Sequence, residues 1–292
     1  MDVIVSSATP TRSRHRFPRH GALGLIIIFI SEMLLFLNVS FVGLYFTPLV
    51  WTGYILFVDA LNVFKNGNSL IIHRRREFIL MLPWSIVCWV IFEMYNLHLQ
   101  NWQYIGLPEH IVPRMIGYGW SFATIFPAIM ETAELFESMF VQRQKPKILL
   151  TRWILIVWIF VGAASLIVPL LLPQDQAGTL FGLVWVGFIF LLDPINYFFN
   201  GRSLFHEIMQ RKYSMIVALA LSGIVCGLLW EFWNYWAVAK WIYKVPMSFA
   251  GPKIFEMPLL GFLGFIPFAF ECFVMQELLT TVVPSLRDHR SQ

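Results

Sequence analysis

The chain has 292 residues, of which 58% are hydrophobic, 17% aromatic and only 13% charged, too little polar surface to cover a soluble domain. Apolar runs of about 17–25 residues, the length that crosses about 30 Å of hydrocarbon, recur along almost the whole chain, which excludes a soluble enzyme on a single anchor. The formal net charge of +4 is spread over the polar connections, so it reports membrane topology rather than a nucleic-acid partner.

Punctuation by Pro, Gly and charge predicts eight membrane helices, at 21–45, 48–64, 77–97, 115–140, 153–172, 179–199, 213–239 and 258–283. The first run follows a basic stretch but reaches Phe46-Thr47-Pro48 without a small-residue cleavage site, so it is expected to stay as a helix. Lys and Arg resist translocation and collect on the cytoplasmic side. Arg12, Arg14, Arg16 and Arg19 precede the first span, and Lys65, Arg74, Arg75 and Arg76 separate the second from the third. Arg143, Lys145, Lys147 and Arg152 separate the fourth from the fifth; Arg202, Arg211 and Lys212 separate the sixth from the seventh; Arg287 and Arg290 follow the eighth. Only Arg114, Lys240, Lys244 and Lys253 remain for the other face, so both termini are expected in the cytoplasm. The three cysteines, Cys88, Cys226 and Cys272, sit inside apolar runs and suggest neither disulfides nor a zinc site. The multi-span architecture points to a bacterial inner membrane.

Laid against itself, the chain repeats. Trp51, Gly53, Asp59, Asn62, Phe64, Asn66, Gly67, Ser69 and Leu70 return 134 residues later as Trp185, Gly187, Asp193, Asn196, Phe198, Asn200, Gly201, Ser203 and Leu204. Ile86-Val87-Cys88 with Glu93 and Asn96 returns 138 residues later as Ile224-Val225-Cys226 with Glu231 and Asn234. Trp102 and Tyr104 followed by Pro108 match Trp241 and Tyr243 followed by Pro246, and Pro127 with Glu131 matches Pro267 with Glu271. Polar residues conserved in this order between two stretches of one chain mark an internal duplication. The expected fold is an all-α integral membrane protein of two parallel four-helix repeats, 21–145 and 146–283, with a basic tail at 1–20 and a second tail at 284–292. Even-numbered repeats enter the membrane the same way, so they face each other across a seam along its normal.

Ionisable residues inside a span are costly and usually face the interior of a bundle. Glu32, Asp59, Glu93, Glu131, Glu134, Asp193, Glu231 and Glu271 all fall within the predicted spans, with no Lys or Arg expected at their depth. Glu93 with Asn96, and Glu231 with Asn234, are three apart on a helix, a spacing at which the amide is expected to orient its carboxyl. Asp59 with Asn62 and Asp193 with Asn196 repeat the spacing, either as an interhelical lock or as part of a site. Pro127 and Pro267 are expected to kink the fourth and eighth spans one turn before Glu131 and Glu271. Trp102, Tyr104, Trp241 and Tyr243 fit an interfacial belt, whereas Trp230 and Trp233 flank the Glu231–Asn234 pair and are candidate binding rings. His73 and His206 have no second ligand at metal spacing, and no nucleotide, nucleophile-elbow or zinc-helix motif is present, so neither metal nor cofactor is expected.

A duplicated helical unit carrying Trp-x-Tyr near one face, then a helix with Pro followed by Glu, resembles the cofactor-free membrane lycopene cyclases and related carotenoid-biosynthesis proteins. The residues concerned are Trp102 through Glu131 and Trp241 through Glu271; here the acid follows Pro by four residues. The resemblance implies a redox-neutral isomerase acting on a hydrophobic isoprenoid or polyene, with Glu131 and Glu271 as acids and Glu93 and Glu231 as base or cation stabilisers. Asn96, Asn234, Asp59, Asn62, Asp193, Asn196, Trp230 and Trp233 are the candidate substrate-binding residues, and membrane lipids the expected partners. The same buried acids suit a proton- or cation-coupled transporter, the alternative from a different class.

Overall fold

The computed structural model describes residues 16–140, 151–244 and 251–286. Arg12, Arg14, Arg143, Lys145, Lys147, Pro246, Arg287 and Arg290 lie outside these residues.

Among the described residues eight long helices carry the fold: α1 (Arg19–Phe36), α2 (Ser40–Asn66), α3 (Arg75–Leu99), α4 (Ile111–Glu137), α5 (Arg152–Leu171), α7 (Phe181–Phe198), α9 (Ser214–Trp236) and α10 (Phe265–Val282). Short helices α6 (Gln174–Ala177) and α8 (Leu204–Met209) flank α7, and strands β1 (Trp102–Ile105) and β2 (Lys240–Tyr243) follow α3 and α9. A two-residue ribbon, Lys253–Ile254 with Met257–Pro258, leads through a 3-10 segment, Leu259–Gly264, into α10. Seven of these segments are long and apolar enough to cross a membrane, and their outer faces suit it: Phe29, Leu97, Phe160 and Leu171 are 68%, 80%, 69% and 76% exposed. The molecule is therefore a helical integral membrane protein. The long helix outside that set is α4, in which every residue from Thr124 to Ala133 is buried. A helix shielded on all sides by protein tolerates more polar residues than one facing lipid.

Two expected boundaries move. The first break falls at Leu37–Val39, not at Pro48: Asn38 takes a left-handed conformation (φ 58°), which Asn tolerates, and the chain re-enters a helix at Ser40. Pro48 lies inside α2, three residues after a local departure from helical geometry at Tyr45 (φ −112°, ψ 19°). Proline cannot donate to the carbonyl one turn back, so the helix bends there instead of ending. At the other end, Pro267 is the third residue of α10 and sits in its first turn, where a missing N–H leaves no bond unmade. The expected mid-span kink at Pro267 is thus replaced by a helix start.

Glycines set the closest helix contacts. A β-carbon on Gly24 would lie 2.4 Å from the Gly53 carbonyl oxygen, so α1 and α2 touch backbone to backbone. A β-carbon on Gly162 would lie 2.7 Å from the Gly187 carbonyl oxygen, giving α5 and α7 the same crossing. Helices α4 and α9 meet along the middle of the molecule, where the Ser222 hydroxyl donates to the Ile129 carbonyl at 2.7 Å. Strands β1 and β2 pair antiparallel, Trp102 opposite Tyr243 and Tyr104 opposite Trp241. Each Trp-x-Tyr segment thus faces the other in reverse.

Candidate functional site

Asn96 and Asn234 do not hold their neighbouring carboxyls, contrary to the expectation from spacing. Asn96 Oδ1 accepts from the Asn101 and Trp102 backbone N–H groups at 2.8 and 3.2 Å, while its Nδ2 donates to the Trp102 carbonyl at 2.9 Å. Asn234 does the same for Trp241, accepting from its N–H at 3.0 Å and donating to its carbonyl at 2.9 Å. Each amide takes up backbone groups that no helix satisfies, and so pins the start of a strand against the end of its helix. The Tyr two residues on then points back along the helix: Tyr104 donates to Glu93 at 2.6 Å and Tyr243 to Glu231 at 2.7 Å. Trp102, Tyr104, Trp241 and Tyr243 therefore turn inward around carboxyls and do not form a belt. Burial first, and the adjoining Glu carboxyl second, push both phenols well above the ordinary tyrosine value of 10.0.

The two dyads are not equal. One oxygen of Glu93 also accepts from Trp89 and Trp102 indoles at 2.9 and 3.1 Å. In the second half, Gly227 stands where the repeat has Trp89, and the Phe265 ring occupies the space a side chain would need. The Trp241 indole donates to Tyr243 at 2.9 Å, and Glu231 Oε2 is buried without a hydrogen bond. Around these groups the rings of Trp89, Trp102, Phe122, Trp230 and Phe268 interlock, with Trp89 and Trp230 centroids 5.9 Å apart. Trp233 joins Trp51 at 5.1 Å and donates to Glu32 on α1 at 3.1 Å.

The Asp and Asn candidates fasten loops. Asp193 accepts from the Ser203 hydroxyl and from the Leu204 and Phe205 N–H groups at 2.9, 2.7 and 2.9 Å, capping α8. Asp59 accepts from the Ile71 N–H at 2.8 Å and lies 2.9 Å from His20 Nε2. The Leu70 N–H goes instead to Glu131 at 3.1 Å, and Asn62 donates to both the carbonyl and the carboxyl of Glu131, at 2.9 and 2.5 Å. Asn196, the repeat counterpart of Asn62, donates to the Val274 carbonyl at 2.8 Å.

That last pair corrects the register of α4 against α10. Glu131 and Val274 are 143 residues apart, as are Phe122, whose carbonyl accepts from Ser85 at 2.5 Å, and Phe265, whose carbonyl lies against Gly223. Glu131 therefore matches Val274 and not Glu271; Glu271 matches Ala128, and Glu134 matches Glu277. Glu271 is completely buried and neither of its oxygens makes a hydrogen bond among the described residues, with Cys88 among its neighbours. Glu134, expected to lack a cation, is gripped by Arg74, which also lies 3.5 Å from Glu77. Burial opposes the Arg74 charge, but Glu134, Glu77 and Glu131 outweigh it and raise its pKa.

Two crevices open at opposite ends of α4. One, of about 420 Å³ out to its mouth, is lined by Glu77, Glu134, Glu137 and Glu277 with Met130 and Arg202. The other, of about 460 Å³, is lined by Tyr45, Thr47, Tyr104, Arg114, Tyr118 and Lys240 among others and reaches the Tyr104–Glu93 dyad.

No protein-family model matches this chain, and no curated protein or solved structure matches it.

Proposed function

We propose that this chain spans the membrane eight times, as two parallel four-helix repeats with both termini cytoplasmic, and converts a hydrophobic isoprenoid or polyene by acid-initiated, redox-neutral cyclisation or isomerisation. The reading carries over the resemblance to membrane lycopene cyclases and the expectation of a bacterial inner membrane. Its main support is Glu271. A fully buried carboxyl without a hydrogen bond is costly, about 1–3 kcal/mol, and such a cost is often kept for chemistry. Glu271 lies one helical turn beyond Phe268, whose ring abuts Trp89, Trp185 and Trp230 at 6.0–6.2 Å.

In this scheme the protonated Glu271 gives its proton to a terminal carbon–carbon double bond. The resulting carbocation is attacked by a neighbouring double bond to close a ring, while aromatic faces stabilise the charge. A proton then leaves the adjacent carbon for Glu231, through its unbonded Oε2, or for Glu93. One proton enters and one departs, so the product is an isomer of the substrate.

Mass spectrometry and absorption of lipids co-purified with the protein, before and after incubation, test the scheme. A mass-neutral conversion that falls by about 10²–10⁴ in Glu271→Gln is expected. Conversion unaffected by that substitution in folded protein would exclude Glu271 as the acid. The carboxylate-lined crevice favours a second reading, cation or proton transport, which predicts flux in proteoliposomes lost in Glu134→Gln and Glu277→Gln.

A further inference from the structure

The crevice at the strand end differs in sign from its opposite number. Its lining holds two cations, Arg114 and Lys240, and, among the described residues, no carboxylate. Lys240 is neutralised by Glu256 at 2.7 Å. Arg114 is held by backbone alone: Nε and Nη2 donate to the Pro108 carbonyl at 3.0 and 2.8 Å, and it forms no ion pair among the described residues. Loop carbonyls thus fix its guanidinium without neutralising it. Thr47 also lines the crevice, and its Oγ1 is buried with no hydrogen-bond partner among the described residues. Tyr45 and Tyr118 supply flat apolar sides, with the Tyr45 hydroxyl already spent on the Pro113 carbonyl at 3.1 Å. A fixed cation, an unmade hydroxyl bond and aromatic sides together fit an anion joined to an apolar body.

We propose that this crevice binds the phosphate group of an amphiphile, with Arg114 as the charge anchor and Thr47 as a second donor. A tetrahedral phosphate presents acceptors in several directions and so can serve donors from different elements, whereas a planar carboxylate reaches mainly those in its own plane. Arginine, with its fixed fork of donors, suits that geometry better than lysine. The inference deepens the reading of a lipid-converting protein by naming the headgroup its substrate or lipid partner carries. Binding is measured without turnover, so failure of the headgroup site and failure of the acid chemistry are separate results.

The test uses the full chain purified in a neutral detergent, titrated with short-chain phosphatidic acid, short-chain phosphatidylcholine and inorganic phosphate while tryptophan fluorescence is followed, since Trp241 lines the crevice. Phosphatidic acid is expected to bind more tightly than phosphatidylcholine and to weaken as ionic strength rises. Arg114→Gln should weaken it by about tenfold or more and Thr47→Val by about threefold. Competition by inorganic phosphate at similar concentration supports a free-phosphate source for the same site; its failure to compete supports a lipid headgroup. Equal binding of the two lipids overturns the proposal, as does unchanged affinity in both variants. If Arg114→Gln does not fold, Thr47→Val decides by the same titration.

Discussion

The two halves of the molecule use matching positions for opposite ends. In the first half the acids are restrained: Glu93 receives three donors on one oxygen, and Glu131 is held by Asn62 and the Leu70 N–H. In the second half the corresponding work is done more cheaply, because Asp193 alone takes the Leu204 and Phe205 N–H groups and Val274 replaces Glu131. Two glutamates in that half are left loose among the described residues: Glu231 has one oxygen unbonded and Glu271 has both. In the proposed scheme the first half supplies rigidity while the second holds the unsatisfied groups that reactivity needs.

Substitutions that strike matched positions should break this contrast or sharpen it. The largest stability loss is expected at Asp193→Ala, which strands three donors, two of them buried, and should cost about 3 kcal/mol, against about 1–2 kcal/mol for Asp59→Ala. Equal losses in denaturation of the detergent-solubilised protein would mean the loops are not held as described. Next, Glu131→Leu and Glu271→Leu should move stability in opposite directions. The first abandons Asn62 and the Leu70 N–H and should lower it by about 2 kcal/mol; the second removes an unpaired buried carboxyl and should raise it by about 1 kcal/mol. A loss at both sites would show that Glu271 is anchored after all.

Smaller effects separate the dyads. Tyr243→Phe takes away the hydroxyl that Glu231 relies on, whereas Tyr104→Phe leaves Glu93 two indole donors, so the first should cost about 1.5 kcal/mol and the second about 0.5 kcal/mol. Alkaline titration gives the gentlest test. Both phenols have folded values above the ordinary 10.0, so the native state keeps these protons longer than the unfolded chain does. Their contribution to stability is complete below pH 10 and is lost as pH rises above it towards the folded values. Phenolate absorbance should show these phenols among the late-titrating groups, and each Tyr→Phe variant should have one fewer of them.

Much of the architecture was legible from hydrophobic runs, because a span's length and apolarity follow from bilayer thickness. The misplaced first boundary shows where that signal fails: Pro48 is a louder mark than Asn38, yet a single left-handed Asn turns the chain and a proline in a packed helix only bends it. The acids were found by their cost in a membrane, but not their partners. Nothing in the Glu-x-x-Asn spacing says that the amide reaches a strand backbone six or seven residues on. The similarity of Pro127–Glu131 to Pro267–Glu271 concealed the true register. Phe122 with Phe265, and Glu134-Leu135 with Glu277-Leu278, held that register in plain view, and only the contacts of Asn62 and Asn196 give it weight.

The reversed pairing of the two Trp-x-Tyr strands couples the two halves at one place. Trp meets Tyr and Tyr meets Trp, so the ladder is self-complementary: any copy of the segment fits any other. A change on one strand is therefore felt opposite it on the other, Trp102 with Tyr243 and Tyr104 with Trp241, so the ends of α3 and α9 are joined through matched side chains.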